Sequence, residues 1–278
     1  MKLSGEARLA GVLGWPISHS LSPRLHGHWL REYRVDGAYL PLKVEPEKLA
    51  EALRGLIALG FRGANVTLPH KERALELCAE VTERAARIGA VNTLVVRDGH
   101  LEGDNSDGFG FLENLKERAD AWQPEQGPAV VLGAGGAARA ILVALLDAGV
   151  PEIRLLNRTR SRAESLAEDL GGPIQPLDWG SWERALEGAA LLVNTTSLGM
   201  QGQPPLDIEL DALPRSALVN DIVYVPLETR LLAAARVRGN PVVDGLGMLL
   251  HQARPGFESW FGVSPSVTPA LRRAVLET

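Results

Sequence analysis

A single cysteine, Cys78, stands in the whole chain, which excludes an internal disulfide and a zinc site built on thiolates. It falls in ERALELCAEV, where helical spacing sets it near Leu75 and marks it as a core residue. Lysine is almost as scarce. Of 29 basic residues 24 are arginine, a bias that a GC-rich genome or heat adaptation would each produce. No apolar run approaches the ~18 residues of a membrane span. Glu6 and Arg8 interrupt the early residues before a stretch of signal-peptide length can form, so a cytoplasmic protein with no membrane partner is expected. Basic charge is lacking overall, the formal net charge being −5. That argues against a nucleic-acid partner, because phosphate binding needs a sizeable basic surface. Internal repeats and low-complexity segments are absent too.

What is there reads as a two-domain α/β protein: 278 residues, 45% of them hydrophobic, exceed one comfortable core. RLAGVLG, SPRLHGHWLREY, AYLPLKV, PEKLAEALRGLIALG, GANVT and LPHKERALELCAE alternate strand-like with helix-like patterns. Such alternation implies crossovers and a mostly parallel sheet. The pattern then changes, because Asp98-Gly99 suits a two-residue hairpin turn. Pairing outward from it sets residue 97 opposite 100 and 92 opposite 105, which brings Asn92 near Asp107. After the helical FGFLENLKERADAW comes QPEQGP, whose composition is that of a domain boundary. Six further candidate strands follow in AVVLG, EIRLLN, GPIQP, ALLVN, ALVND and PVVDG, which fits a doubly wound nucleotide-binding sheet. GLGMLLHQARPGFESWFG closes the pattern as a helix.

VVLGAGGAARAILVALLDAG sets Gly133, Gly135 and Ala138 at G-x-G-x-x-A spacing between a strand and a helix. Glycines there let the backbone approach a pyrophosphate, whose charge the helix N-terminus favours. About twenty residues on, the second strand ends in Asn157-Arg158-Thr159 with Arg160 and Arg162 behind it, where an NAD enzyme carries an acid. A carboxylate would repel a 2′-phosphate and guanidinium groups pair with it, so the cofactor is expected to be NADP. Neighbouring residues cannot all face one phosphate. Arg158 is assigned to it with Arg162 in support, and Arg160 to capping the next helix.

In GANVTLPHKERAL, Pro69 suits the first helical position and Lys71 falls in the first turn, where it opposes the helix dipole. Such a placement does little for stability. Ser18 and Ser20 sit on alternate positions of GWPISHSLSP, and Ser22 before Pro23 is the better N-cap candidate. Asn92 could equally be a plain hairpin residue, Gln252 an exposed helix position and Tyr224 a core aromatic. His26 and His28 stand two apart with no carboxylate or thiol cluster, so no metal is expected.

GWPISHSLSP with LH, NVTLPHK, GAVNTL, DNSDG, LGAGGAARA, NRT, NTTSLGM and DGLGMLLHQ, in this order over nearly the whole chain, resemble the shikimate dehydrogenase family. The resemblance implies an NADP enzyme that reversibly reduces 3-dehydroshikimate to shikimate on the route to chorismate and the aromatic amino acids, as a monomer or homodimer. It implies a discontinuous α/β substrate-binding domain, residues 1–107 plus 245–278, around a Rossmann-type NADP-binding domain, 108–244. Lys71 and Asp107 become the catalytic pair, and Ser18, Ser20, Thr67, Asn92, Tyr224 and Gln252 surround the substrate. Gly133, Ala134, Gly135, Gly136, Ala137, Asn157, Arg158, Thr159, Arg162, Thr195, Ser197, Ile222, Gly245 and Met248 hold the cofactor. Two departures from the family pattern, Gly27 after His26 and Arg162 in place of a lysine, leave the chemistry intact. A quinate-type dehydrogenase and a non-catalytic NADP sensor are the rival readings; the sensor would have no use for Lys71 and Asp107.

Overall fold

The structure, a computed structural model, describes residues 3–277. The chain forms two units: unit 1 runs to Ser106 and resumes at Leu249, and unit 2 is the uninterrupted stretch Asp107–Met248. Unit 1 begins with β1 (Arg8–Gly14), α1 (Ser22–Glu32), β2 (Gly37–Lys43), α2 (Leu49–Ala58), β3 (Gly63–Val66) and α3 (Lys71–Leu77). It continues with β4 (Glu80–Val81), α4 (Glu83–Ile88), β5 (Thr93–Arg97) and β6 (His100–Asp104). Unit 2 holds α5 (Asp107–Arg118), β7 (Ala129–Leu132), α6 (Gly136–Asp147), β8 (Ile153–Asn157), α7 (Arg160–Leu170) and β9 (Ile174–Asp178). Then come α8 (Trp182–Leu186), β10 (Leu191–Asn194), β11 (Leu218–Asp221), α9 (Arg230–Arg238) and β12 (Val242–Val243). The long α10 (Leu246–Phe261) starts in unit 2 and carries the chain back into unit 1, which α11 (Pro269–Leu276) completes.

The first sheet runs β2-β1-β3-β5-β6-β4. β1 pairs in parallel with β2 and β3, as alternation of strand and helix implies, and β5 turns antiparallel between β3 and β6. The expected hairpin is β5–β6, with Arg97 opposite His100 and positive φ at both Asp98 and Gly99, 50° and 78°, as a type I′ turn demands. Side chains alternate across the sheet. Leu13, Ala64, Val66 and Leu94 pack with Leu49, Leu53 and Leu56 of α2. On the other side the His26 ring of α1 stacks on Tyr39 of β2 at 3.9 Å and against Phe257 of α10. The Trp260 indole donates to the Leu94 carbonyl at 2.8 Å, so the returning helix supplies core to the strands made first.

Three local expectations are corrected. Pro69 lies ahead of the N-cap, His70, so that Lys71 is itself the first residue of α3. Leu21, not Ser22, is the N-cap of α1, with Ser22 already helical; the turn-making hydroxyl is that of Ser20, which accepts from the Ser22 N–H at 3.3 Å. QPEQGP is no boundary. It lies inside unit 2, because Phe111 and Leu115 of α5 bury against Ile141, Leu142 and Leu145 of α6.

The second sheet is wholly parallel in the order β12-β11-β10-β7-β8-β9. Helices cover both faces: Val131, Leu155 and Val193 meet α5, α6 and α7, while Val130, Leu132, Leu156, Leu192 and Val219 meet α8 and α9. Strand order reverses between β7 and β10, the topological switch point at which doubly wound sheets bind ligands. Among the described residues no helix is long and apolar enough to cross a membrane.

Candidate active site

In unit 1 the expected residues gather beyond the C-terminal ends of the parallel strands. The segment after β1 and the one after β3 are laced together: Thr67 N–H donates to the Leu13 carbonyl at 2.9 Å and Trp15 N–H to the Leu68 carbonyl at 3.1 Å. This sets Thr67 beside the loop of Ser18 and Ser20, of which Ser18 is exposed and Ser20 half-buried. His70, 1% exposed, bonds through Nε2 to the Val44 carbonyl at 2.8 Å and so pins the turn that precedes Lys71. The Lys71 carbonyl accepts from the Val91 N–H at 2.9 Å. Lys71 is thereby tied by backbone to the residue next to Asn92.

Asn92 is the centre of a buried polar cluster. Its Oδ1 accepts from the Ser106 N–H at 2.9 Å, from the Thr93 hydroxyl at 2.8 Å and faces the Ser106 hydroxyl at 3.2 Å. With its two lone pairs so engaged, the amide can turn only its NH2 the other way. That Nδ2 donates to Gln252 Oε1 at 3.3 Å, and the Ser106 hydroxyl reaches the Gln252 carbonyl at 2.8 Å. Gln252 is therefore no exposed helix position but 9% exposed. Beneath it Asn65 donates to the Asn92 carbonyl at 3.1 Å and accepts from the Tyr39 hydroxyl at 2.6 Å. Asn65, Thr93, Ser106 and His70 do not stand out in the sequence; the NVT, VNT and NSD stretches that hold three of them are the available signal.

Asp107 opens unit 2 as the first residue of α5, where a carboxylate suits the helix dipole. Tyr224 also belongs to unit 2, in the segment after β11, and burial pushes its phenol above the ordinary value. Hence the expected substrate set is divided: Ser18, Ser20, Thr67, Lys71, Asn92 and Gln252 in unit 1, Asp107 and Tyr224 in unit 2.

The expected cofactor residues all lie in unit 2. Gly133 follows β7 with φ 105°, and a Cβ there would meet Thr195 Oγ1 at 2.8 Å, so the fold itself requires a glycine. Gly135 differs. It caps α6 with φ −99°, a conformation open to any residue, and a Cβ on it would meet no protein atom within 4 Å. Packing does not explain that glycine, and the open space at the helix N-terminus suits the approach of a pyrophosphate. Ala134, Gly136 and Ala137 are half-buried around it. The Thr195 hydroxyl donates to the Leu132 carbonyl at 2.6 Å, which fixes the β10 segment against the glycine turn; Ser197 further on is exposed. Gly245 and Met248 are buried at the start of α10, and Ile222 is half-buried after β11.

The arginines differ in their surroundings, and Arg160, expected to cap the next helix, is instead the first residue of α7, whose N-cap is Thr159. Arg160 is engaged locally with Glu164 and Asp178, both at 2.8 Å. Arg158 and Arg162 are exposed and make no ion pair among the described residues. Asn157 Nδ2 donates to the Thr159 carbonyl at 2.8 Å, shaping the turn that presents Arg158. Guanidinium groups with no protein carboxylate among the described residues suit a dinucleotide bearing an additional phosphate.

Comparison with known proteins agrees with both halves. The model of the shikimate dehydrogenase substrate binding domain matches residues 12–94, that of shikimate / quinate 5-dehydrogenase 116–199, and that of the shikimate 5′-dehydrogenase C-terminal domain 245–276. A shikimate dehydrogenase (NADP(+)) of Paramagnetospirillum magneticum is 63% identical over 99% of this chain and 100% of its own. The crystal structure of the Thermus thermophilus shikimate 5-dehydrogenase in complex with NADP(H) and shikimate superposes with TM-score 0.86 at 39% identity, covering 96% of this chain and 98% of that one. A quinate dehydrogenase from Corynebacterium glutamicum in complex with NAD gives TM-score 0.89 at 31% identity over 97% and 99%. With such identity sustained from end to end, the chain belongs to the shikimate dehydrogenase family.

Proposed function

We propose that the chain catalyses the reversible NADPH-dependent reduction of 3-dehydroshikimate to shikimate, a step toward chorismate and the aromatic amino acids, with unit 1 binding the substrate and unit 2 the NADP. The observation that carries this is the joining of Lys71, Asn92 and Gln252 in one polar cluster of unit 1 through the Val91–Lys71 backbone bond and the Asn92–Gln252 amide pair. NADPH supplies the hydride. What the protein adds is a proton, or a positive group, for the oxygen that becomes an alkoxide, and Lys71 Nζ serves there. Asp107 orients that ammonium and accepts from a substrate hydroxyl. The Ser18 and Ser20 hydroxyls receive the substrate carboxylate, and the Asn92 NH2, its carbonyl already engaged, donates to a hydroxyl oxygen on the ring. A pocket of buried donors is hard on any analogue that leaves them without partners, which favours a polyol acid. Gly133, Ala134, Gly135, Gly136 and Ala137 admit the pyrophosphate, and Arg158 with Arg162 holds the 2′-phosphate. The enzyme is read as cytoplasmic, monomeric or homodimeric.

The test is the change in NADPH absorbance with shikimate and NADP supplied, with quinate and NAD as parallel arms. Turnover with shikimate and NADP well above the other combinations is expected. Preference for quinate or NAD would move the chain to the quinate-type branch, and no turnover with either would leave it a nucleotide-binding protein.

A further inference from the structure

Asp221 ends β11 with no exposed surface, and its partners are all neutral. Oδ1 accepts from Asn194 Nδ2 and from the Val223 N–H, each at 3.0 Å, and Oδ2 accepts from the Thr229 hydroxyl at 2.7 Å. The charged groups on the surrounding elements are directed elsewhere. Glu228 and Arg230 pair with Arg236 and Asp207 at the surface, and Asp244 beyond β12 accepts from the Leu246 N–H at 3.1 Å. A buried carboxylate with no cation is a costly way to hold a fold together. What it does hold is specific. Asn194 Oδ1 takes both the N–H and the hydroxyl of Thr196, at 3.0 and 2.7 Å, while its Nδ2 also reaches the Leu198 carbonyl at 3.1 Å. The Gln201 N–H donates to the Val225 carbonyl at 2.8 Å. Two segments, 194–201 and 221–229, thus depend on one carboxyl, and they carry Thr195, Ser197, Ile222 and Tyr224.

We propose that Asp221 is a positioning residue, whose carboxylate holds the segments after β10 and β11 in the single arrangement that receives NADP and presents Tyr224. This rests on the reading of unit 2 as the NADP unit. The carboxylate reaches NADP only through the atoms it fixes. Burial raises its carboxyl to about 6 against the opposing pull of three hydrogen bonds, so above that pH the charged form is the one that grips.

Wild-type turnover with shikimate and NADP is measured first; its absence would overturn the underlying reading and the proposal with it. Asp221→Asn keeps the volume and one carbonyl oxygen while removing the charge and the acceptor facing Thr229. In the full chain it should fold, bind NADP roughly tenfold more weakly and turn over more slowly. The ratio of variant to wild-type dissociation constants should shrink toward unity as pH falls below about 6, because the wild-type carboxyl is then neutral as well; using the ratio cancels the titration of NADP itself. Thr229→Val cuts the Oδ2 bond together with the α9 cap that the same hydroxyl forms by accepting from the Leu232 N–H at 3.4 Å, so a lower melting temperature is expected besides an NADP affinity weakened by about threefold, with Thr229→Ser restoring both. That pair decides the matter if Asp221→Asn does not fold. A folded Asp221→Asn or Thr229→Val protein with wild-type NADP affinity and turnover, and a lowered melting temperature only, would overturn the proposal, since Asp221 would then serve stability alone.

Discussion

Asn92 and Gln252 in unit 1 are 3% and 9% exposed and bonded to one another before any ligand arrives, whereas Arg158 and Arg162 in unit 2 stand in solvent with no ion pair among the described residues. The two kinds of recognition follow from that contrast. Buried amides held in fixed hydrogen bonds present their groups in one geometry, to which a ligand must conform. The contact proposed for the exposed guanidinium groups with a phosphate is one that salt screens, and its loss would cost affinity.

The most severe way to break the contrast is Lys71→Ala, which should lower kcat by ~10² to 10⁴-fold with a smaller change in KM. The Lys71→Ala, Asp107→Ala double variant should be little worse than the poorer single, because the two act as a unit. A Lys71→Ala enzyme with unchanged kcat would make Lys71 a binding anchor.

Asp221 is the buried exception in unit 2. Its folded pKa of about 6 lies above the ordinary value of 3.8, so the folded state binds the extra proton and this contribution to stability is present below pH 4 and lost as pH rises through about 6. Denaturant unfolding of wild type against Asp221→Asn should therefore show wild type losing about 3 kcal/mol relative to the variant across that window. A difference that did not change with pH would mean the carboxyl is not shifted.

Arg158→Ala should weaken NADP by about ten- to a hundred-and-fifty-fold and NAD hardly at all, while Arg160→Ala, its side chain engaged with Glu164 and Asp178, should spare both. Fluorescence titration in low and high salt sharpens the point, because the Arg158 effect should shrink with added salt. Equal loss for both cofactors would reduce the arginines to a solvated turn.

The mildest pair separates fold from ligand inside one loop. Gly135→Ala should leave the melting temperature near wild type, its Cβ having open space, and weaken NADP by roughly five- to a hundredfold if the cofactor occupies that space. Gly133→Ala should instead destabilise the protein by about 1 to 3 kcal/mol, through its positive φ and the approach of Thr195.

Sequence disclosed whatever had a local period or a turn rule. The six strands of the second sheet are short apolar runs at regular spacing, and Asp98-Gly99 names its own hairpin. Arg160 parts from Arg158 in the sequence only because neighbouring residues cannot all face one phosphate; its partners Glu164 and Asp178 appear only in the fold. β4 and α4, two and six residues long, are too short to show a period, and only the Thr82 hydroxyl accepting from the Ala85 N–H marks the helix start. The Asn92–Gln252 pair spans 160 positions of chain, and no window on the sequence contains both. Asp221 looks like any acid at a strand end until its three neutral partners are seen together. QPEQGP has the composition of a linker, yet burial of α5 against α6 decides where it belongs.

The return of α10 to unit 1 sets an order of maturation during synthesis. Unit 2 is contiguous and can close once residue 248 has emerged, since domains fold as units while the chain is made. Unit 1 cannot, because Phe257 and Trp260, 0% and 2% exposed in the finished protein, are still to come. At ~5 to 20 residues per second the strands made first wait on the order of ten seconds for the helix that covers His26 and Tyr39. A chain from which residue 248 has emerged and the rest of α10 has not would hold a finished nucleotide sheet and an open, aggregation-prone one, and chaperone demand should concentrate on its oldest hundred residues.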